Sequence, residues 1–526
     1  MVHLEPTAIP LDLVRNPSCA RDKIKSLDSL ASISKASQSL GKKVVLAHGV
    51  FDLVHMGHVR HLEAAKKEGD CLIVTITPDQ LVNKGPGRPV FNQNLRAEML
   101  AALESVDWVG ISKWPSAEYL IETIQPNIYI KGSDYTNEGE DLTGKIKTER
   151  ETVERFGGKV KFTNDITFSS SSLINQYLHV FEPPVLDYLN KIDREDFLSE
   201  SLKCLEKIKK MKILFVGEAI IDEYQYVKPM GKSAKENIIS SRHSGREVFA
   251  GGVIAAANHV ADFVEKVDVI TVLGEKDTYK NLIYDTARNN VNIFPLWRKG
   301  MPTIRKCRFV DPGHMRKLFE VYHFEDKPLD GSIEELLCEM IYDRAKDYDL
   351  VVINDFGHGM ITETVVNYLT KHSPCLAVNA QSNSANLGFN LITKYKSADY
   401  ICIDAPEAQL AMRNKYLDID DLIENELRHA INCKNIIVTH GEKGCISWSD
   451  SKGIHKVPAF TSQVVDTVGA GDAFLSVTSP LVASGAPLDI TGFIGNAVGA
   501  LKVGIVGHRR SVEKIPLQKY ITTLLK

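Results

Sequence analysis

Two histidines, His55 and His58, stand three positions apart on either side of Gly57, shortly after an apolar run. Imidazole groups on one turn can donate hydrogen bonds to phosphate oxygens as negative charge grows in a transition state. The glycine between them lets a phosphate chain lie against the backbone. A metal pair needs a third ligand, which the neighbouring sequence does not indicate, and two surface histidines are the other alternative. The spacing therefore favours phosphate chemistry.

A second stretch whose residue types could do chemistry covers residues 465–474 and reads Val-Asp-Thr-Val-Gly-Ala-Gly-Asp-Ala-Phe. Small residues before an apolar helix suit a turn in which free helix N–H groups point at an anion. Gly469, Ala470 and Gly471 leave room for a phosphate, and Asp472 at the helix start can take a proton from an attacking hydroxyl. A glycine turn with an ordinary helix cap would show the same spacing.

The elements around these stretches predict parallel α/β architecture. Val44–Ala47 is an apolar run of the buried-strand type, and apolar residues recur at helical spacing after His58. Cys71–Ile76 is a second apolar run, which completes a βαβ unit. Ile213–Gly217 begins another buried strand far along the chain. We therefore predict an α/β protein.

Composition bounds the class of protein. A chain of 526 residues predicts two or three domains, with 44% hydrophobic and 25% charged residues, as in globular proteins. The net charge of −4 and the absence of a basic run predict no nucleic-acid partner. Nine scattered cysteines without a CxxC pair indicate a reducing compartment, without structural zinc or disulfides.

Two apolar segments have lengths that could suit a targeting or membrane signal. The first twenty residues are interrupted by Glu5, Pro6, Pro10 and Asp12, which is untypical of a signal peptide. The segment 490–506 is short and rich in glycine, so we predict a buried core helix there and no membrane span. A cytoplasmic protein without a membrane partner is expected.

The N-terminal motif Gly-Val-Phe-Asp-Leu-Val-His-Met-Gly-His, residues 49–58, resembles the first motif of the cytidylyltransferase-like nucleotidyltransferases. Residues 41–178 look most like the transferase half of the bifunctional heptose kinase/adenylyltransferases. The resemblance continues in order through four further stretches, residues 87–96, 103–109, 131–135 and 169–174. Ala47-His48 replaces the usual Thr-Asn before the first glycine.

This resemblance implies in-line attack of an acceptor phosphate on the α-phosphorus of ATP or CTP, with release of pyrophosphate and help from Mg²⁺. His55, His58 and Lys131 would stabilise the α-phosphate, and Arg96 is a further cation for phosphates. The remaining nucleotide-binding residues implied by the motifs are Gly49, Phe51, Asp52, Gly57, Ser169, Ser170 and Ser171.

The stretch 465–474 resembles the signature of the PfkB (ribokinase-like) sugar kinases, and this likeness spreads over most of residues 212–510. It implies ATP and Mg²⁺, with Asp472 as the base. The implied substrate-binding residues are Asp222, Gly251, Gly252, Asn258 and Asp355, and the implied metal residues are Asp404 and Glu407. The implied nucleotide-binding residues are Thr439, Gly441, Gly444, Gly469, Ala470, Gly471 and Asn496.

Two departures from that family are visible. Ala255 or Ala256 stands where an asparagine follows the glycine pair, and Asn379-Ala380-Gln381 replaces the usual Asp-Pro-Lys. The order of the two halves is also reversed relative to the heptose enzymes, in which the kinase comes first. The resemblance therefore supports the reaction types more strongly than it supports one particular sugar.

The resemblances predict four segments. Residues 1–40 form an extension, and 41–180 form a Rossmann-like nucleotidyltransferase domain. Residues 181–211 form a linker helix, and 212–526 form a ribokinase-like α/β domain whose small β lid includes residues 225–247. A homodimer through this lid is expected by analogy with the family.

The expected function is synthesis of a nucleoside-diphosphate sugar, such as an ADP- or CDP-heptose, for surface glycans. The small-molecule partners would be a sugar or sugar phosphate and nucleoside triphosphates. One alternative is a CTP-dependent enzyme for another sugar, a polyol phosphate or an amino-alcohol phosphate. A second alternative is a ligand-sensing scaffold with one inactive domain.

Overall fold

A computed structural model describes residues 19–82, 88–114, 116–132, 145–163, 174–175, 180–461 and 463–526. Contacts divide the chain into two compact units. The first unit comprises residues 1–180 with 518–524 and 526, and the second comprises 181–517 with 525. The predicted nucleotide-binding residues Ser169, Ser170 and Ser171 lie outside the described residues.

The first unit contains a parallel sheet of five strands in the order β3-β2-β1-β4-β5. Its strands are β1 Val44–Gly49, β2 Cys71–Ile76, β3 Trp108–Ile111, β4 Ile128–Lys131 and β5 Lys159–Phe162. The described helices of this part are α1 Leu27–Ser39, α2 Met56–Lys67, α3 Gln93–Ala101, α4 Glu118–Ile124 and α5 Lys145–Arg155.

Apolar side chains point alternately to the two faces of the sheet along β1, and both faces are covered by helices. Val45 and Ala47 belong to a core cluster that includes residues of α2 and α3. Val44 and Leu46, one position away, belong to a cluster with residues of α1 and α4. The strand order changes direction between β1 and β4, and ligands of such sheets bind at the carboxyl ends of the strands beside that point.

The second unit contains a sheet of nine strands in the order β10-β9-β6-β13-β14-β15-β16-β17-β18, parallel except for antiparallel β17 and β18. The first strands of this sheet are β6 Lys212–Gly217, β9 Lys266–Lys276, β10 Val291–Pro302, β13 Leu350–Asp355 and β14 Leu376–Ala380. The others are β15 Tyr400–Asp404, β16 Asn435–Thr439, β17 Cys445–Ser449 and β18 Gly453–Val457. In both units parallel strands alternate with helices along the chain, which confirms the predicted α/β class.

A separate sheet of four strands has the order β12-β11-β7-β8. These strands are β7 Ala219–Lys232, β8 Ile239–Gly252, β11 Arg305–Asp311 and β12 Arg316–His323. The sheet occupies the segments in which the sequence predicted a β lid, and we call it the lid sheet. In its register Asp222 of β7 is opposite Phe249 of β8 and Lys306 of β11.

The helices of the second unit include two that the sequence predicted. Arg194–Lys207 is a helix within the segment predicted as a linker, and Leu488–Lys502 is the expected buried helix near the C-terminus. In order, the helices are α6 Pro183–Leu189, α7 Arg194–Lys207, α8 Val253–Val260, α9 Lys280–Thr286, α10 Gly331–Arg344, α11 Glu363–His372, α12 Ala405–Met412, α13 Ile419–Leu422, α14 Arg428–Ala430, α15 Ala470–Ala483 and α16 Leu488–Lys502. A last helix, α17, covers Lys514–Leu524. None of the helices that the structure describes has the length and apolar character needed to cross a membrane.

Candidate active sites

The turn after β1 places two imidazoles side by side. His55 is the N-cap of α2, and its Nδ1 accepts a hydrogen bond of 3.1 Å from the Gly57 N–H. His58 stacks on His55 with 4.0 Å between the ring centroids and meets the Phe51 ring edge-on at 5.2 Å. Burial lowers the pKa of His55, which favours the neutral ring. Because Nδ1 is the acceptor, the proton of that neutral ring is on Nε2, where it can be donated.

The backbone of this turn is constrained by Phe51. Phe51 has φ 48°, in the left-handed region, and its ring would lie 3.1 Å from a Cβ added at Gly49. Asp52 is buried, and its Oδ1 accepts a hydrogen bond of 2.6 Å from the Val90 N–H. A larger residue at Gly49 would therefore press on the ring that supports His58.

Arg88 belongs to this site although the sequence analysis gave it no role. One guanidinium nitrogen lies 3.6 Å from Oδ2 of Asp52, and both side chains are buried. The other nitrogen donates to Oδ1 of Asn175 at 2.8 Å. Burial lowers the pKa of Arg88, opposed by Asp52. The only signal in the sequence was an arginine within the Gly-Arg-Pro-Val stretch.

Arg96, a predicted nucleotide-binding residue, is held within the protein. Its guanidinium is fully buried and donates to the carbonyl oxygens of Phe91, Val50 and Thr77 and to the carboxylate of Asp79. Val50 and Thr77 directly follow β1 and β2, so Arg96 fixes the backbone at the carboxyl ends of these two strands. Its contact with a nucleotide phosphate stays a prediction.

Lys131 ends β4, the strand next to β1. Its Nζ lies 3.0 Å from the Glu149 carboxylate and 5.2 Å from the centroid of the Tyr129 ring. Its position at the carboxyl end of the adjacent strand brings it to the same edge of the sheet as the histidine turn. The structure thus gathers His55, His58, Asp52 and Lys131 at one edge.

The glycine turn of the second unit has the geometry expected of an anion site. Gly469 is the N-cap of α15 with φ 74°, and the helix begins at Ala470, as predicted. Asp472 lies in the first turn and is partly exposed. No described atom lies within 4 Å of a Cβ added at Gly471, so an anion has room to approach the N–H groups of the helix.

Two buried charged residues hold the backbone of this turn in place. The sequence analysis gave neither of them a role. Asp466 accepts hydrogen bonds from Tyr224, Gly507 and Lys317 at 2.6, 2.8 and 2.7 Å. Lys502 donates to the carbonyl oxygens of Val468 and Gly507 at 2.6 and 2.9 Å, and burial lowers its pKa to about 8. Both residues orient the backbone around the glycines.

Asp222 and His508 form the opposite side of this site. Asp222 pairs with Arg308, and its Oδ2 lies 3.2 Å from Nε2 of His508. Burial raises the pKa of Asp222, but Arg308 and His508 outweigh it and hold the carboxyl well below its usual range. Burial raises the pKa of Asp472 to about 6, and His508 opposes that rise. The site therefore contains one strongly acidic carboxyl and one that titrates close to neutrality.

Gly251 is required by the close approach of Asp222. A Cβ at Gly251 would lie 2.0 Å from Oδ2 of Asp222, and a Cβ at Gly252, where φ is 58°, would lie 2.4 Å from the Glu218 carbonyl oxygen. Gly469 is constrained similarly, because its Cβ would lie 2.6 Å from Cε1 of His508. These glycines let Asp222, His508 and the turn come together.

Replacing Gly251 by alanine is expected to displace the Asp222 carboxylate and to destabilise the second unit by about 1–3 kcal/mol. The matched control is Gly245→Ala on the same strand, where the new Cβ would meet only Tyr226, at 3.7 Å. Denaturant unfolding of the two variants checks the prediction. Equal midpoints for Gly251→Ala and Gly245→Ala would contradict it.

Three predicted binding residues use their polar groups inside the protein. The Asn258 amide bonds to the backbone of Thr286 and Arg288, and the Asn496 amide donates to the carbonyl oxygens of Val457 and Pro458. Asp355 is completely buried and accepts hydrogen bonds from Gly357 N–H, Asn390 and Tyr395, besides pairing with Lys394.

These contacts show what holds the three side chains in this structure. Both oxygens of Asp355 accept hydrogen bonds within the protein, and none of its surface is exposed. The amides of Asn258 and Asn496 link backbone segments. The binding roles of the three residues stay predictions.

Asp404 and Glu407 form a reciprocal capping box at the start of α12. Glu407 accepts from the N–H groups of Ser382 and Asp404, and burial together with the Asp404 charge raises its pKa to about 8. Across the described ranges no group of three or more His, Cys, Asp or Glu side chains could hold a metal by itself. Asp404 is exposed, and Mg²⁺ commonly takes only one or two carboxylates along with water and phosphate oxygens.

The remaining predicted nucleotide-binding residues lie at the end of β16 and in the turn that follows it. Thr439 ends that strand, and Gly441 and Gly444 have φ of 53° and 90° in the turn before β17. A Cβ at Gly444 would lie 2.0 Å from the Val457 carbonyl oxygen. Asp404 and Thr439 therefore end adjacent parallel strands, at the edge of the sheet where α/β proteins bind ligands.

Comparison with known proteins identifies two families in the chain. The model of the pfkB family carbohydrate kinases matches residues 210–515, more than half of the chain. The cytidylyltransferase-like model matches residues 46–177.

Two curated relatives are named bifunctional protein HldE. The protein from Geobacter metallireducens is 40% identical over 165 residues, which are 30% of this chain and 32% of the relative. The protein from Geotalea uraniireducens is 42% identical over 154 residues, 29% of this chain and 30% of the relative. The chain thus spans about a third of the length of these relatives.

One of the solved structures that match this chain is phosphofructokinase-2 from Escherichia coli in complex with substrates and products. It is 15% identical with a TM-score of 0.49, and the match covers 60% of this chain and 100% of that one.

Proposed function

The chain belongs to the pfkB family of carbohydrate kinases, and on that premise we propose that it is a bifunctional enzyme that makes a nucleoside-diphosphate sugar. The second unit would phosphorylate a sugar or sugar phosphate with ATP. The first unit would transfer a nucleotidyl group to a sugar phosphate. The observation that carries the proposal is Asp472 in the first turn of a helix that begins at a glycine-lined anion turn.

In the kinase reaction the acceptor hydroxyl is held beside Asp222, and Asp472 takes its proton as the hydroxyl oxygen attacks the γ-phosphorus of ATP. The bond from the γ-phosphorus to the β,γ-bridging oxygen breaks, and ADP leaves. The N–H groups at the start of α15 receive charge that develops on the transferred phosphoryl group. Asp466 and Lys502 act indirectly, because they fix the turn that presents those N–H groups.

In the transferase reaction a phosphate oxygen of the acceptor attacks the α-phosphorus of the nucleotide, and the bond to pyrophosphate breaks. His55 donates from Nε2, and His58 and Lys131 lie at the same edge of the sheet to stabilise the pentacovalent centre. Both substrates bring their own nucleophile and leaving group, so the mechanism needs no covalent enzyme intermediate.

The carboxylates Asp404 and Glu407 are the residues that would hold Mg²⁺ through water in the second unit. When bound with nucleotide, Mg²⁺ would offset negative charge on the phosphates. The exposed Asp404 and the orientation of Glu407 by the capping box support this assignment.

The proposal extends to the acceptor sugar and to the base of the donor nucleotide. The resemblance of residues 41–178 to the bifunctional heptose kinase/adenylyltransferases supports a heptose, with an ADP- or CDP-activated product destined for surface glycans. A CTP-dependent enzyme for another sugar or polyol phosphate is the alternative. The lid sheet is the proposed surface for a homodimer.

Pyrophosphate release by the purified full-length chain tests the proposal. ATP, CTP, GTP and UTP are each offered with a panel of sugar 1-phosphates and polyol phosphates. Release with ATP or CTP and a heptose 1-phosphate is the expected result. Release only with CTP and a polyol phosphate would select the alternative, and no turnover by either unit would favour a ligand-sensing scaffold.

The rate of ATP-dependent phosphorylation is expected to fall as the pH drops below about 6. Because burial raises the pKa of Asp472 to about 6, its carboxyl gains a proton in that range and can no longer accept one. A pH profile of kcat/KM checks this, with about tenfold loss per pH unit on the acidic limb. A break near the ordinary aspartate pKa of about 4 would contradict it.

A further inference from the structure

Lys306 is a buried lysine that forms no ion pair with the residues that the structure describes. It lies on β11 of the lid sheet with 4% of its surface exposed. Its register partners are Asp222 on β7 and Tyr322 on β12, so the three side chains share one face of the sheet. The oxygens of Asp222 are taken by Arg308 and His508. Within the part of the chain that the structure describes, the ammonium group of Lys306 makes no hydrogen bond or ion pair.

The contact that Lys306 does make is with an aromatic ring. Its Nζ lies 5.0 Å from the centroid of the Tyr322 ring. Burial lowers the pKa of Lys306, while the Asp222 charge raises it. A ring face attracts a cation, but it accepts none of the three N–H bonds that an ammonium can donate.

His358 is a second buried group with unused polar atoms. It follows β13, is 2% exposed, and neither ring nitrogen has a hydrogen-bond partner among the described residues. Burial and then the charge of Lys306 lower the pKa of His358 to about 3, so the ring is neutral and offers one donor and one acceptor. Its ring contacts Phe324 at 4.9 Å and Tyr322 at 6.4 Å.

The backbone that carries His358 is held firmly. The buried carboxylate of Glu218 accepts hydrogen bonds from the N–H groups of Phe356 and His358 at 2.9 and 3.1 Å. Lys306 and His358 also contact the same ring, that of Tyr322. The two groups with unused hydrogen-bonding capacity therefore lie near the same ring, and Lys306 is the register neighbour of Asp222.

Burying polar groups without partners is unfavourable, and such groups are retained where a ligand supplies the missing bonds. The ligand must offer an acceptor to an ammonium and both a donor and an acceptor to an imidazole. Adjacent hydroxyl groups of a polyhydroxylated molecule meet these demands. The nucleotide phosphates have a different site, at the N–H groups of the Gly469 turn.

We propose that Lys306 and His358 bind the acceptor of the kinase reaction, Lys306 through one acceptor oxygen and His358 through a neighbouring hydroxyl. Together with Asp222 they would orient the hydroxyl that Asp472 deprotonates. This inference rests on the proposed kinase function of the second unit and adds two binding residues to it.

The test measures steady-state kinetics of Lys306→Met and His358→Phe in the full-length chain. The probes are D-mannose, sedoheptulose and their terminal phosphates, and the acceptor used is the one that the wild type phosphorylates. Each variant is expected to raise the KM for that acceptor about tenfold or more, with the KM for ATP within about twofold of wild type. The matched controls are Lys228→Met and His323→Phe, both exposed positions of the lid sheet.

A thermal unfolding measurement separates binding from a structural role. Removing an unpaired buried charge is expected to leave the melting temperature of ligand-free Lys306→Met unchanged or raised. His358→Asn keeps one donor and one acceptor, and it is expected to recover most of the acceptor affinity lost in His358→Phe. It also replaces His358→Phe if that variant fails to fold.

The outcomes distinguish the inference from the proposed function. An active wild type with unchanged acceptor KM in both variants would overturn the inference alone. A raised KM for ATP with an unchanged KM for the acceptor would also overturn it, because these side chains would then contact the nucleotide. A wild type that phosphorylates none of the probes while it releases pyrophosphate would remove the kinase proposal and this inference together.

Discussion

Replacing Asp472 by asparagine is expected to lower the rate of ATP-dependent phosphorylation by about 10²–10⁴. Asparagine keeps the shape of the side chain in the first turn of α15 but cannot accept the proton of the acceptor hydroxyl. Pyrophosphate release is expected to stay within about twofold of wild type, because its proposed residues lie in the other unit. ADP formation and pyrophosphate release, measured on the same preparation, check both statements.

Asp489→Asn is the matched control, since Asp489 occupies the first turn of the following helix, α16. It is expected to leave both rates near those of the wild type. Wild-type phosphorylation by Asp472→Asn would exclude Asp472 as the base. Loss of both activities from that single change would contradict the independence of the two sites.

Replacing His58 by alanine is expected to lower nucleotidyl transfer by about 10²–10³ without changing phosphorylation. The change removes one imidazole and also the ring that stacks on His55 at 4.0 Å. Pyrophosphate release with saturating nucleotide measures the effect on kcat. We expect kcat to fall, because negative charge on the α-phosphate increases as the transition state is reached and His58 stabilises that charge.

His61→Ala on the same helix is the control for helix stability. His61 points to Thr163, with 2.7 Å between Nδ1 and Oγ1, and has no role in the proposed chemistry. Equal losses of pyrophosphate release in His58→Ala and His61→Ala would indicate a general defect of α2. A loss confined to His58→Ala would support its role at the α-phosphate.

Local sequence determined the two turns in which the proposed chemistry takes place. The histidine cap and the i, i+3 spacing of His55 and His58 are properties of one helix start. The glycine at the start of α15 and Asp472 in its first turn are likewise encoded within four residues. Apolar runs and helical periodicity were sufficient for the α/β class, because they depend on neighbours in the chain.

Long-range packing decided the surroundings of two charges that the sequence predicted to be binding residues. Arg96 resembled a phosphate-binding cation in sequence, but carbonyl oxygens from three separate segments surround it. Asp355 ends a strand at the correct edge of the sheet, but Lys394 and Tyr395 occupy its carboxylate. A sequence pattern gives the position of a charge along an element, whereas its solvation depends on distant segments.

Tertiary structure also assembled the residues that sequence reasoning left without a role. His508 contacts Asp222, which lies 286 positions earlier in the chain. Lys502 donates a hydrogen bond to the carbonyl oxygen of Val468, 34 positions before it. Lys306 and Tyr322 lie on the lid sheet and His358 follows β13 of the nine-stranded sheet, so only the packing of the two sheets brings Lys306 and His358 to the same ring. Turn geometry is a local property that the sequence determines by itself, while partners and burial exist only once distant strands and helices have packed.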